Sequence, residues 1–133
     1  MISVFNEVYT VVTGSVKSSI EDLKTSRPYP KGNDAFPLLT MEQKNNITYK
    51  KTLDSSLSEN HASIMIEINV YSNKKSGASV ECEKILDVAD AEMQRFGFVR
   101  TFYSPMPNMD DSVTRLTARY EGVVSKSKIV YKT

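Results

Sequence analysis

The sequence predicts an α+β fold: a mostly antiparallel sheet with two amphipathic helices packed on one face, in the chain order α-β-β-α-β-β-β. Two segments repeat apolar residues at steps of 4, 3, 4, 4 and 3, which is the spacing of one face of a helix. Between them, residues 62–71 place apolar side chains at every second position, as a strand with one buried face does. Because 133 residues is close to the usual domain size, we expect a single domain over residues 1–133.

The composition excludes several classes of protein and kinds of site. Seventeen Lys and Arg against 16 Asp and Glu give a net charge of +1, without the large positive field of a general nucleic-acid binder. One Cys and one His exclude an intramolecular disulfide and a zinc site built from these residues. No apolar run approaches the ~18 residues of a membrane span, and residues 1–14 do not resemble a signal peptide. We therefore expect a protein without membrane spans that assembles in a reducing cytoplasm.

The first helix is predicted over residues 2–24. Its apolar stripe consists of Phe5, Tyr9, Val12, Val16, Ile20 and Leu23. Gly14 and several β-branched residues lower the helix propensity, but the period outweighs them. Residues 27–34 are rich in Pro, Gly, Asn and Asp, so we expect a loop there. A first strand is predicted over residues 36–43, followed by a long, mobile, polar loop at about 44–61, part of which could extend the strand.

The second helix is predicted over residues 78–96, after a strand at 62–71 and a turn at 72–77. Ser79 is the expected N-cap, and Gly97 is the expected C-cap. Strands are predicted at residues 98–103 and 113–124, with a loop at 104–111 between them, and a last strand at 128–132. In the strand at 113–124, Leu116, Ala118 and Tyr120 share the core face, and Arg115, Thr117 and Arg119 take the other.

Few residues indicate catalysis. Asp110 and Asp111 could hold Mg²⁺, but adjacent residues on an extended chain point apart, so ordinary turn chemistry is favoured. His61 could act as a base, but a surface histidine without a catalytic partner is favoured. Cys82 lies on the apolar stripe of the second helix, which favours a buried thiol. Because phosphate-loop, dinucleotide and HExxH motifs are absent, we expect no enzyme activity, no metal and no cofactor.

Two groups of residues indicate binding instead. Lys44, Tyr49, Lys50 and Lys51 mix basic and aromatic side chains in the long loop, and they either face a phosphate backbone without sequence specificity or are simply solvated. Arg115 and Arg119 lie on one face of a strand, where arginine is common at protein interfaces. Their spacing is equally compatible with an exposed face.

Residues 96–124 carry the distinctive pattern of the chain. The second helix ends at Gly97-Phe98, and the following strand contains Arg100. The next strand carries Arg119-Tyr120 and Gly122-Val123, and between the strands lies Pro105-Met106-Pro107-Asn108-Met109-Asp110-Asp111. This pattern resembles the tail terminator, or tail completion, proteins of tailed bacteriophages and prophages, especially those of Gram-positive hosts. Phe36-Pro37-Leu38 and Asn69-Val70-Tyr71-Ser72 are similar to the same family's layout, so the resemblance extends over most of the chain.

The resemblance implies a structural virion protein rather than an enzyme. Members of the family form a ring, typically hexameric, on the head-proximal end of the tail tube, where they end tube polymerisation and provide the surface for head-tail joining. The implied partners are copies of the chain itself, the tail tube protein, the head-tail connector or adaptor, and genomic DNA passing through the lumen without sequence specificity. The implied location is the phage tail or neck, and the bacterial host cytoplasm during assembly.

Under this interpretation, the two groups of binding residues receive separate roles. We assign the lumen or the tube-facing loop to Lys44, Tyr49, Lys50 and Lys51. We assign contacts between subunits to Asn108, Asp110, Asp111, Arg115 and Arg119, with the aspartates of one subunit pairing with the arginines of the next. Two alternatives stay open: a head completion or head-tail adaptor protein of the phage neck, and a small nonspecific nucleic-acid-binding or hydrolytic domain.

Overall fold

Two helices lie side by side on one face of a mixed, mostly antiparallel sheet, which confirms the predicted fold class. The computed structural model describes residues 3–20, 23–26, 36–48, 61–106, 113–125 and 130–131. The elements in chain order are α1 (Phe5–Ser19), β1 (Lys24–Ser26), β2 (Leu38–Thr48), β3 (His61–Ser72), α2 (Ala78–Phe96), β4 (Val99–Met106), β5 (Thr114–Ser125) and β6 (Val130–Tyr131).

The sheet has β3 at its centre. The strand order is β1-β2-β3-β5-β4, and β6 pairs with β5. The short β1 runs parallel to β2, and all other described pairs are antiparallel. One face of this sheet packs against both helices, and we call the opposite face the open face.

The main core lies between the helices and the sheet. The alternating residues of β3 face it as predicted, and all of them are fully buried: Ala62, Ile64, Ile66, Ile68 and Val70. Leu116, Ala118 and Tyr120 of β5 join them from the neighbouring strand, which confirms the predicted core face. Burying each large aliphatic side chain contributes ~1.5–3 kcal/mol, so this layer is the main source of stability.

Helix α1 is shorter than predicted. The expected span of 2–24 becomes Phe5–Ser19, because Ile20 adopts an extended conformation with φ −121° and ψ 115°. Leu23, which the sequence placed on the helix stripe, is still buried in the main core, just before β1. The hydroxyl of Thr13 donates to the carbonyl of Tyr9 at 2.6 Å, so this buried polar side chain is satisfied inside the helix.

Helix α2 has one predicted cap and one unpredicted cap. Gly97 is the C-cap in the left-handed region, with φ 103°, as expected. The expectation that Ser79 is the N-cap was wrong: the helix begins at Ala78 and Gly77 takes that position, with φ 80° and no side-chain cap. Glu81 in the first turn instead accepts a 2.6 Å hydrogen bond from the Ser72 hydroxyl, which links the helix start to the end of β3.

Several strands are longer than predicted. Residues 44–48 continue β2, so the expected loop at 44–61 is wrong at its start, and His61 already belongs to β3. Likewise, β4 runs to Met106 and takes the first residues of the loop expected at 104–111. In both cases cross-strand pairing stabilises polar or proline-containing sequence that has little strand propensity of its own. Strand β1 was missed because three residues are too few for a periodic signal.

Candidate functional site on the open face of the sheet

A cluster of polar and charged side chains occupies the centre of the open face. It is built on the antiparallel register of β3 and β5, which places Glu67 opposite Arg119, Asn69 opposite Thr117 and Tyr71 opposite Arg115. Because side chains alternate between the two faces of a strand, all of these residues lie on the side away from the helices. We call Glu67, Asn69, Arg115, Thr117 and Arg119 the arginine cluster.

The members of the arginine cluster are joined by hydrogen bonds. Arg119 Nε donates to Glu67 Oε2 at 2.8 Å, and Arg115 Nε donates to Asn69 Oδ1 at 2.9 Å. Asn69 Nδ2 donates to Glu67 Oε1 at 3.0 Å, and the Thr117 hydroxyl donates to Asn69 Oδ1 at 2.5 Å. Arg115 Nη2 lies a further 3.9 Å from Glu67 Oε1. Glu67 and Asn69 therefore connect the two guanidinium groups into one network.

The cluster is buried at its centre and exposed at its rim. Glu67 is 4% exposed and Thr117 is 1% exposed, whereas the side chains of Arg115 and Arg119 are 27% and 41% exposed. Burial by itself raises the pKa of the Glu67 carboxyl. The hydrogen bonds from Asn69 and Arg119, together with nearby positive charges, outweigh burial and hold this pKa below its ordinary value. The ionised carboxylate lies between two guanidinium groups, so the cluster carries one net positive charge.

Aromatic rings fix the guanidinium groups further. The Arg119 guanidinium lies 5.1 Å from the ring centre of Phe102 on β4, and that of Arg115 lies 5.8 Å from the ring centre of Tyr71 on β3. A guanidinium that is already ordered loses less entropy on binding than a free side chain. The arrangement is therefore suited to binding a carboxylate or another oxyanion over the open face.

Lys44 lies beside the arginine cluster. It occupies the irregularity in β2, where the register with β3 shifts between Gln43 and Asn45, and its Nζ is 3.1 Å from Glu42 Oε2. Glu42 is directly opposite Glu67 across the strand pair, and the charge of Lys44 contributes to the lowered pKa of Glu67. The structure thus brings Lys44, which the sequence assigned to the lumen or the tube-facing loop, close to Glu42 and to Glu67 of the arginine cluster.

The described residues include three of the nine predicted site residues: Lys44, Arg115 and Arg119. The remaining six, Tyr49, Lys50, Lys51, Asn108, Asp110 and Asp111, lie outside the described residues. Sequence reasoning missed Glu67 and Asn69. The available signal was an acidic residue in the middle of the most regular apolar strand, at a position that faces away from the core.

The two edges of the sheet differ in how well they could add another strand. At one edge, β4 contains Pro105, which lacks a backbone N–H, and an irregularity between Arg100 and Phe102. At the other edge, β1 pairs only with Leu38–Thr40, so residues 41–48 of β2 have no described strand beside them on that side. Short strands, prolines and bulges are features by which proteins prevent edge-to-edge pairing. The β4 edge is therefore a poor site for strand pairing with a partner.

A second polar cluster, on the helix side, is structural. The buried Tyr120 hydroxyl donates to Asp90 Oδ1 at 2.6 Å, and Arg100 and Gln94 donate to the same carboxylate at 2.9 and 2.6 Å. Burial and the adjacent carboxylate raise the pKa of Tyr120, which keeps its proton. These bonds tie α2 to β4 and β5.

Cys82 is a core residue, as predicted. It is fully buried on α2, and its Sγ lies 3.7 Å from the Val70 carbonyl oxygen and 3.8 Å from that of Thr114. Burial, with the charges of Glu81 and Glu83, raises the pKa of the thiol to about 11. A protonated, inaccessible thiol is a poor nucleophile.

The fold and this site define an α+β domain with a helical layer on one sheet face and an ordered pair of arginines on the other. Neither a family model nor a curated protein matches the chain. Over the part of the chain that the structure describes, no group of three or more His, Cys, Asp and Glu side chains could hold a metal ion. Within the same part, no helix is long and apolar enough to cross a membrane.

Proposed function

We propose that the chain is a structural subunit of a phage tail or neck, which forms a ring on the head-proximal end of the tail tube and ends its polymerisation. The observation that carries the proposal is the ordered, partly exposed arginine pair on the sheet face opposite the helices. Such a surface serves contact between proteins better than it serves catalysis, because its exposed groups are guanidinium groups and aromatic rings, and its carboxylate, Glu67, is buried and bonded to Arg119. The tail terminator pattern around Pro105–Asp111 supplies the particular role.

In the proposed mechanism the subunit acts by assembly alone. One rim of the ring binds the last layer of the tube, and the other rim no longer accepts a tube subunit and instead receives the head-tail connector. Arg115 and Arg119 contribute to contacts between subunits, with Asn108, Asp110 and Asp111 as sequence-based candidates on the other side. Lys44, Tyr49, Lys50 and Lys51 are the candidates for contact with the tube or with DNA in the lumen.

The test is a tube-length assay. The tail tube protein encoded in the same viral or prophage genome is polymerised with increasing amounts of this chain, and tube lengths are measured by negative-stain electron microscopy. We expect tubes to shorten as the chain is added, with a ring of extra density at one end only. Unchanged tube lengths, together with bare tube ends at saturating chain concentration, would contradict the proposal.

Binding experiments with the same purified chain distinguish the two alternative functions. Binding to the portal or adaptor protein in a pull-down, with no binding to tubes, would favour a head completion or adaptor role. Affinity for duplex DNA that falls steeply with added salt, with no binding to either protein, would favour the nucleic-acid-binding alternative.

A further inference from the structure

The outer surface of α2 has the opposite charge to the arginine cluster. Of its acidic residues, Glu81, Asp90 and Glu92 have ion-pair partners in Lys74, Arg100 and Arg95. Glu83 and Asp87 are exposed, and they form no ion pair with any described residue. They are four residues apart and therefore share one face of the helix.

Apolar and aromatic side chains accompany these two carboxylates. Val80, one turn before Glu83, is 67% exposed, and Tyr103 on β4 is 45% exposed. Burial and the charges of Glu83 and Asp87 raise the pKa of the Tyr103 phenol, which places this ring within their electrostatic reach. Exposed tyrosine beside apolar residues and charge is the composition of a protein interface. We call Val80, Glu83, Asp87 and Tyr103 the acidic helix surface.

The two charged surfaces lie on opposite sides of the domain. The acidic helix surface belongs to the helical layer, and the arginine cluster belongs to the open face of the sheet. They cannot meet within one chain, but the acidic surface of one copy can meet the arginine cluster of another. The β4 edge of the sheet, which contains Pro105 and an irregularity, is protected against pairing with another strand.

We propose that the acidic helix surface of one copy docks on the arginine cluster of a second copy, with Glu83 and Asp87 facing Arg115 and Arg119. The contact is heterologous, since it joins two different surfaces of the same chain. A heterologous contact repeats from copy to copy and closes into a ring when the rotation permits. The inference rests on the proposed function, and it specifies which two surfaces hold the proposed ring together.

The test uses variants that each disable one surface. The helix variant is Glu83→Lys with Asp87→Lys, at two exposed positions without ion-pair partners among the described residues. The sheet variant is Arg119→Glu. Because this change also removes a partner of the buried Glu67, Ser104→Glu provides a second sheet variant that leaves the network intact: Ser104 is opposite Thr117 on the open face. Glu7→Lys on the exposed side of α1 is the control for altered charge.

Light scattering after size-exclusion chromatography, supported by native mass spectrometry, gives the mass of each assembly across protein concentration and on tube ends. We expect the wild type and the control to form rings and each surface variant alone to stay monomeric. An equimolar mixture of the helix variant and the Arg119→Glu variant should recover assembly, because the lysines of one variant then face the glutamate of the other, and the unaltered pair of surfaces still meets. Combining Glu83→Lys, Asp87→Lys and Arg119→Glu in one chain should restore the ring.

Three results would overturn the inference. Rings formed by the surface variants would refute it and leave the proposed function standing. Loss of the ring in an Asp110→Lys, Asp111→Lys variant, with the helix variant unaffected, would assign the acidic partner to that segment instead. A wild-type chain that stays monomeric at every concentration and on tube ends would refute both the inference and the proposed ring. If the wild type forms a ring that shortens tubes, and the surface variants form the same ring, only the inference is refuted.

Discussion

Replacing Glu67 with glutamine tests whether the arginine cluster is held by an ionised carboxylate. The substitution keeps the size of the side chain and an oxygen that can accept the hydrogen bond from Asn69. It removes the charge that receives the 2.8 Å bond from Arg119 Nε and that faces Arg115 Nη2 at 3.9 Å. A hydrogen bond to a charged group is worth ~1.5–3 kcal/mol, and the partial exposure of both arginines favours the lower end. We expect a loss of about 2 kcal/mol at neutral pH.

The assay is urea unfolding followed by circular dichroism. With a slope of about 2 kcal/mol per molar urea, the expected loss lowers the midpoint by ~1 M. The effect should depend on pH in a defined direction. Because the folded pKa of Glu67 lies below its ordinary value of 4.5, the carboxylate stabilises the protein above that value, and this stabilisation is lost as the pH falls through the folded pKa. The difference between wild type and variant should therefore shrink in acid.

Glu121→Gln is the matched control, because Glu121 occupies the same face of β5 opposite Met65. We expect its effect to stay within ~0.5 kcal/mol, as for most partly exposed substitutions. A Glu67→Gln variant as stable as the wild type at neutral pH would refute the reasoning. A variant that is destabilised equally at neutral and acid pH would also refute the reasoning, because the shape of the side chain would then matter and its charge would not.

Three further predictions concern helix α1, helix α2 and the bond between α2 and the sheet. Gly14→Ala should stabilise the protein by ~0.5–1 kcal/mol and raise Tm by about 3 °C in calorimetry, since a Cβ at this helical position meets no atom within 4 Å. Tyr120→Phe should cost ~1–2 kcal/mol in urea unfolding, because Asp90 loses a 2.6 Å hydrogen bond; an unchanged midpoint would show that the bond adds nothing. Cys82 should resist thiol reagents in the native protein and react once urea unfolds it, and rapid native labelling would contradict its burial.

The elements that could be predicted are those with strong local signals. The alternation through Ile64, Ile66 and Ile68 defines a strand and its buried face without any knowledge of its neighbours. Helix α2 carries six apolar residues at helical spacing, and Gly97 marks its end through a left-handed conformation that other residues adopt at a cost. In these segments local preference and tertiary packing agree.

The features that could not be predicted depend on pairing between distant segments. Strand β1 consists of three residues whose strand conformation comes from parallel pairing with β2, and polar residues 44–48 extend β2 because β3 lies alongside. Only part of the arginine cluster could be predicted from the sequence: the spacing places Arg115 and Arg119 on one face of a strand. Their link to Glu67 spans about 50 residues of sequence and follows only from the β3–β5 register.

The arginine cluster also has a consequence for how the two central strands find each other. Because Ile64, Ile66 and Ile68 are nearly equivalent, sliding β3 by two residues against β5 keeps every apolar side chain on the core face. Such a slip would place Glu67 opposite Thr117 in one direction and opposite Glu121 in the other, instead of Arg119. Like charges directly opposite each other destabilise a strand pair. The apolar face packs equally well in several registers, so the polar pairs on the opposite face are what favour the native register. We expect β3–β5 pairs in a wrong register to dissociate before the sheet is complete.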